Sequence, residues 1–321
     1  MTGNLLLDLL VAAVALAALL ALAGASYQFV ASRRAERMYP PPGRLIDVGG
    51  YCLHIQCSER PEGAKAAPTV VMDAGIGECS LGWSLVQPEI ARFARVCTYD
   101  RAGLGWSDPA PTARTSRQIV KDLHALLYRA GVEPPYVMVG HSFGGLNVRL
   151  YASQFPEEVV GLVHVDSANE SYSIRNIMPR YLKLGLLTAF LGIPRLFAGF
   201  VLASNPIFAA DSRYPPAYRA IATSTKYLNA VRREWSAVDE SWAQAAATEK
   251  SLGDRPLVAL LPASEHELFP LAKRLQVDLV SRSTRGKLIL VERSGHHIQH
   301  DRPEMVVEAV REVVEAVRQM N

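Results

Sequence analysis

Gly140-His141-Ser142-Phe143-Gly144-Gly145 sets a serine among glycines, directly after the apolar run Tyr136 to Val139 and directly before a helical stretch, Leu146 to Ser153. A serine on so sharp a strand-to-helix turn projects its hydroxyl from a strained backbone, and the small neighbours remove side chains that would collide there. The pattern makes Ser142 a nucleophile. The following helix aims its positive end at the same point, which favours a developing anion.

A hydroxyl attacks only once a base takes its proton, so a histidine must arrive from another segment. Of eight histidines, His54 falls in an early strand, His124 in a helix and His164 in a buried strand, where satisfied structural histidines are the ordinary case. His141 adjoins the serine and would point away. Ser294-Gly295-His296-His297 follows the apolar run Lys287 to Val291 and precedes the last helix, a place from which a loop can carry an imidazole over a sheet edge. His296 is the expected base, with His297 and His300 close enough to compete. The anion needs two backbone N–H groups. Phe143 supplies one, and the glycine-bearing loop Asp73-Ala74-Gly75-Ile76-Gly77 supplies the other through Ile76.

These segments need elements to hold them. Short apolar runs alternate with helical patterns, the sequence form of an α/β sheet protein. Strands are predicted over Arg44 to Val48, Tyr51 to Cys57, Thr69 to Asp73, Ala94 to Tyr99, Tyr136 to Val139, Val159 to Val165, Pro256 to Leu261 and Lys287 to Val291. Gly49-Gly50 is a hairpin turn signal between the first two. Helices are predicted over Trp83 to Phe93, Ser116 to Ala130 and Glu304 to Gln319. About ninety residues without a strand pattern separate Val165 from Pro256, far beyond an ordinary connection. They read as a helical lid, with Leu184, Leu186, Leu187, Phe190, Leu191, Ile193, Leu196, Phe197 and Phe200 as an apolar cluster suited to greasy substrates or to the bilayer.

From Leu9 to Ser32 no residue is charged, enough length at about 1.5 Å per residue to cross a bilayer. Arg33, Arg34 and Arg37 follow, and by the positive-inside rule they put the catalytic body on the cytoplasmic side. A cleaved signal peptide with Ala21-Leu22-Ala23 at its end is the rival reading, though no Lys or Arg precedes the apolar run. Tyr39-Pro40-Pro41-Pro42-Gly43 then breaks the helix. The expected parts are an anchor and linker over 1–40, a core over 41–166 and 255–321, and a lid over 167–254. The net charge of +3, without a basic run, excludes an electrostatic nucleic-acid footprint. Cys52, Cys57, Cys79 and Cys97 have neither disulfide-framework density nor zinc spacing and read as buried thiols.

Val70 to Gly77, Tyr99-Asp100-Arg101-Ala102-Gly103-Leu104-Gly105-Trp106-Ser107, Gly140 to Gly145, and Ser294-Gly295-His296 with Pro303-Glu304 together resemble the α/β-hydrolase superfamily from about Arg44 onward. More narrowly, the chain looks like its lid-bearing, membrane-anchored bacterial serine hydrolases. The resemblance implies an eight-stranded, mostly parallel sheet flanked by helices, with the lid after the sixth strand. Ala74-Gly75 replaces the family's usual His-Gly, a change that backbone-based anion binding tolerates. The resemblance also implies an acid after one of two strands. Asp166 stands after the strand that follows the serine, with Ser167 able to orient it, and Glu265 stands after the strand that follows the lid. Asp166 is preferred, because the loop Pro262 to Phe269 lacks the family's usual Gly-x-x-Asp turn. Asp100 and Arg101 read as a structural pair bracing the serine turn.

Serine in place of aspartate at the turn argues against dehalogenase and soluble epoxide hydrolase chemistry as the family performs it. What remains is cleavage of an apolar acyl ester through an acyl-enzyme, with no metal or organic cofactor. An amidase or iminopeptidase is the alternative, with Glu234, Asp239 or Glu240 to anchor a substrate amine. A hydrolase fold retained for ligand binding is the reading from another class.

Overall fold

Gly49 and Gly50 take φ of 121° and 100°, the left-handed turn that joins β1 (Arg44–Asp47) to β2 (Cys52–Cys57). Asp47 Oδ1 accepts from both glycine amides and fixes that turn. The structure is a computed structural model and describes residues 2–62, 67–171, 185, 188–198, 216–248, 251–264 and 270–320. Six further strands follow: β3 (Thr69–Asp73), β4 (Val96–Tyr99), β5 (Tyr136–His141), β6 (Val159–Val165), β7 (Leu257–Pro262) and β8 (Gly286–Val291). They form one eight-stranded sheet in the order β1-β2-β4-β3-β5-β6-β7-β8. β1 and β2 are antiparallel to their neighbours, and all later pairings are parallel.

Burial on both faces explains why β3, β5 and β7 read as unbroken apolar runs. Val70, Met72, Val137, Val139, Val163 and Val165 face one layer, with Val306, Val310, Val313 and Val317 of the helix Pro303–Arg318. Val71, Met138 and Leu162 face the other, against Val120, Leu123 and Leu127 of the helix Ser116–Ala130. Thr115 caps that helix by accepting from Gln118 N, and Gly131 ends it at φ 68°. The helix expected over Trp83 to Phe93 is instead a 3-10 turn at Ser80–Trp83 and a single turn at Gln87–Ile90. Pro88 is the reason, since its ring fits the first turn of a helix and blocks a turn before it.

Cys57 and Cys97 are register partners on β2 and β4 and are joined by a disulfide, which corrects the reading of four thiols. Spacing along the chain could not reveal it. Cys79 is a buried thiol, and Cys52 is half-buried.

The chain divides into two compact units, Met1–Pro40 with Met178–Asn229 and Pro41–Ile177 with Ala230–Asn321. The second holds the whole sheet together with the helix Val238–Ala246, so the interval expected as one lid is shared between the units. Leu184, Leu186, Leu187 and Phe200 of the expected apolar cluster lie outside the described residues. The first unit contains the helix Thr2–Met38, of which Leu5–Met38 is long and apolar enough to cross a membrane, with a mean hydropathy of 2.8 over its most apolar 18 residues.

Candidate active site

Among the described residues, three non-glycine residues have positive φ: Ser142 at 51°, Asp166 at 40° and Arg293 at 56°. Strain of this kind persists only where surrounding structure imposes it. Ser142 sits between β5 and the helix Phe143–Gln154, Asp166 follows β6, and Arg293 follows β8 and opens the loop to His296. All three parallel strands end at the same sheet edge, so three strained turns deliver a serine, a carboxylate and an imidazole there.

The carboxylate and imidazole meet. Asp166 Oδ2 accepts from His296 Nδ1 at 2.6 Å, with Asp166 buried and the His296 ring part-exposed. Asp166 N donates to Leu260 O, which ties the turn to β7. Ser142 is held by its main chain: its N–H donates to Val165 O, and its carbonyl accepts from Ala168 N at 2.9 Å. Ser167 does not orient Asp166 as expected; its hydroxyl donates to Ala168 O. A Cβ on Gly145 would stand 1.7 Å from that hydroxyl, so Ser167 packs against the serine turn instead. Glu265 lies outside the described residues.

The two expected anion donors are both left over by their surroundings. In the loop after β3, Gly75 N donates to Glu78 Oε2 at 2.9 Å and Gly77 N to Glu234 Oε2 at 2.8 Å. Ile76 N, between them, has no acceptor among the described residues. Phe143 N opens its helix and has no carbonyl one turn back to bond. Gly144 lets this helix reach the loop, since a Cβ there would lie 2.3 Å from Asp73 O.

Arg101 clamps the same loop from behind. Its guanidinium donates to Asp73 Oδ1, Ala74 O, Gly75 O and Glu234 Oε1, at 2.6 to 2.7 Å, and is almost fully buried. Asp100 and Arg101 are therefore not the pair expected: Asp100 instead accepts from His54 Nδ1, Ser80 N and Trp106 N. Alternation along the chain sends the two side chains to opposite sides. Sequence reading missed the clamp because Glu234 is 133 residues from Arg101. Arg101→Met should destabilise the fold by about 3–5 kcal/mol, because two buried carboxylates lose their cation. Urea denaturation measures this, and a loss under about 1 kcal/mol would contradict the clamp.

Glu78 links three segments. It accepts from Gly75 N, faces His141 Nδ1 at 3.0 Å and His297 Nδ1 at 3.3 Å, while His141 Nε2 donates to the His296 carbonyl at 3.0 Å. Burial opposes the Glu78 charge, but His141 outweighs it and holds the carboxyl well below its usual range. His141 is thus turned toward Glu78 and props the loop that carries His296. Burial pushes His297 down to about 3, and its Nδ1 faces Glu78, not Asp166. Neither His297 nor His300, in the turn Ile298–Asp301, has the contact that His296 makes with Asp166. Ligand atoms of Glu78, His141 and His297 lie within 4.8 Å of one another and could hold a metal ion.

His164 is not a satisfied histidine. It is fully buried, neither ring nitrogen has a hydrogen-bond partner among the described residues, and burial first, then Arg149 and Arg282, hold its pKa well below the usual value. Arg149 and Arg282 both pair with Glu170, at 2.7 and 2.5 Å. Burial opposes ionisation of Glu170, yet the two arginines lower it from 4.5 to about 2. Because the folded value is the lower one, this triad stabilises the fold above about pH 4.5 and loses that contribution as pH falls toward about 2. Glu170→Gln should flatten the acid limb of stability against pH; an unchanged limb in urea titrations would count against the triad.

Phe143 stacks on Trp242 with ring centroids 5.9 Å apart, in a cluster with Ile119, Leu146, Val238 and Ala245. Ile76, Ala168 and Trp235 are only partly buried against it. The expected anion donors therefore sit in apolar surroundings.

A strained serine, an aspartate–histidine pair and a glycine-lined anion loop on one edge of a parallel sheet define a hydrolase-fold protein. Residues 68–211 match the family model described as alpha/beta hydrolase fold. The chain is similar to YqjL of Bacillus subtilis, 27% identical over 273 residues covering 84% of this chain and 91% of that one. It is 26% identical over 301 residues to an AB hydrolase superfamily protein of Gibberella zeae, covering 83% and 92%. Among solved structures, Cfl2 of Burkholderia cenocepacia shares the fold, with a TM-score of 0.65 at 22% identity over 84% of this chain and 95% of that one. The chain has the alpha/beta hydrolase fold and is similar to proteins of that superfamily.

Proposed function

We propose that the protein is a serine esterase for apolar acyl groups. The observation that carries this reading is the 2.6 Å contact between Asp166 and His296, made across 130 residues from two turns that begin at positive φ. Ser142 Oγ attacks the acyl carbonyl while His296 takes its proton, and Asp166 stabilises the imidazolium. Ile76 N–H and Phe143 N–H receive the oxyanion, a role worth about 3 kcal/mol per donor in other enzymes. The tetrahedral intermediate then expels the alcohol, protonated by His296, and water releases the acyl group by the same steps in reverse order. Ile76, Ala168 and Trp235 beside these donors suit an apolar acyl chain.

The amidase reading loses its first anchor, since Glu234 is fully buried and bound to Arg101 and Gly77 N. A fluorophosphonate probe tests the reading. Wild type should label and Ser142→Ala should not. Labelling that persists in the variant would remove Ser142 as nucleophile, and no labelling of wild type would favour the ligand-binding reading.

For sidedness, we give the disulfide more weight than the arginines after the apolar helix. Cys57–Cys97 persists only in an oxidising compartment, so the sheet is assigned to the side away from the cytoplasm, against the positive-inside expectation. Protease added outside sealed cells stripped of their outer wall should digest the sheet unit. Full protection until detergent is added would restore the cytoplasmic assignment.

A further inference from the structure

The first unit holds more apolar surface than its long helix alone. Leu191 and Gly192 pack on that helix so closely that a Cβ on Gly24 would stand 2.6 Å from Leu191 O, and one on Gly192 would stand 2.8 Å from the Tyr27 ring. Gly192, at φ 71°, opens the short helix Ile193–Leu196. Arg195 Nε donates to Gln28 Oε1 at 3.1 Å, and its Nη2 reaches Ser32 Oγ and Ala220 O. Gln28, almost fully buried, donates to Thr223 O. Gln28 and Arg195 thus turn inward and find partners.

The apolar side chains turn outward. Phe190, Leu196 and Phe197 are 53%, 61% and 58% exposed, and Phe29 and Val30 on the adjoining helix are each 62% exposed. Polar groups inside and large apolar groups outside is the reverse of a water-facing surface. Height along the helix fixes what covers it. Gly24, Tyr27 and Gln28 lie about 8–13 Å before Arg33 at 1.5 Å per residue, inside the uncharged run. Arg33, Arg34 and Arg37 come next and mark the end of the apolar stretch at the headgroups.

We propose that residues 188–198 form a second membrane-contacting element, with Phe190, Leu196 and Phe197 resting among lipid acyl chains in the leaflet that holds the C-terminal half of the helix Thr2–Met38. The occupant is the bilayer and not a second copy of the chain, because the exposed patch continues the apolar surface of the spanning helix and ends at its arginines. Insertion to this depth matches amphipathic segments that lie at the headgroup and acyl boundary. The proposal rests on the first unit alone and is independent of the esterase reading.

Full-length protein in vesicles of phosphatidylcholine and phosphatidylglycerol, doped with a phosphatidylcholine bearing a diazirine at the upper acyl chain, tests it. After irradiation and digestion, peptides covering 188–198 should carry lipid adducts alongside the anchor peptide. The triple variant Phe190→Ser, Leu196→Ser, Phe197→Ser should lose at least tenfold of the adducts on those peptides and keep those on the anchor. Adducts on the anchor alone in the wild type would overturn the proposal. So would chain-to-chain cross-links through residues 188–198 in place of lipid adducts, which would assign the patch to a second copy.

Discussion

Replacing Ser142 with alanine is expected to lower kcat for p-nitrophenyl butyrate by about a million-fold, the scale seen when a serine nucleophile is removed elsewhere. Stability should hardly change. Alanine keeps a Cβ at φ 51°, so the strain of the turn remains, and the hydroxyl is not among the bonds that hold the turn, which come from the Ser142 N–H and carbonyl. A variant with unaltered urea midpoint and lost activity therefore isolates chemistry from folding. Retained activity within tenfold of wild type would mean that some other residue attacks the carbonyl. Substrates with longer acyl chains should share the loss equally, since the apolar surface around Ile76 and Trp235 is untouched.

The second large effect belongs to the acid. Asp166→Asn is expected to reduce kcat by about ten-thousand-fold, because the amide presents the wrong hydrogen-bond partner to His296 Nδ1 and cannot stabilise the imidazolium. Asparagine suits the site sterically, as it tolerates the left-handed backbone that Asp166 adopts at 40°. Glu265→Gln should leave kcat within a few-fold of wild type. Steady-state kinetics on the two variants decide between the candidates, and the opposite ranking would move the acid to Glu265.

Much of this architecture was legible because burial writes itself into residue choice. Thr69 to Asp73 is buried throughout and Val159 to Val165 nearly so, and both are dominated by apolar residues, so their boundaries match. The serine turn was legible for a different reason, since Gly140, Gly144 and Gly145 each sit where a Cβ would strike a neighbour within 2.7 Å. What the sequence could not display were contacts set only by the sheet order. β2 lies beside β4, which pairs Cys57 with Cys97 at a sequence separation of 40, and no spacing rule anticipates that. The clamp of Arg101 on Glu234 and the link from Glu78 to the His296 loop are hidden likewise, because each joins residues from separate elements. Sequence alone offers Glu234 as an anchor for a substrate amine, and burial against Arg101 removes it from that role.

These supporting contacts give the chemistry its setting. Gly75 and Gly77 donate their amides to two buried carboxylates, which leaves Ile76 N–H without an acceptor among the described residues, as the proposed oxyanion role requires. One carboxylate also braces His141 and His297, the residues beside Ser142 and His296. Pre-placed donors of this kind cost no reorganisation when charge develops, the main source of rate in acyl transfer.

The most direct measurement is mass spectrometry of the acyl-enzyme. Protein mixed with excess p-nitrophenyl butyrate and quenched in acid within milliseconds should gain the mass of one butyryl group, and peptide mapping should put it on Ser142. Turnover with no covalent adduct at any quench time, or an adduct on a residue other than Ser142, would contradict the proposed mechanism.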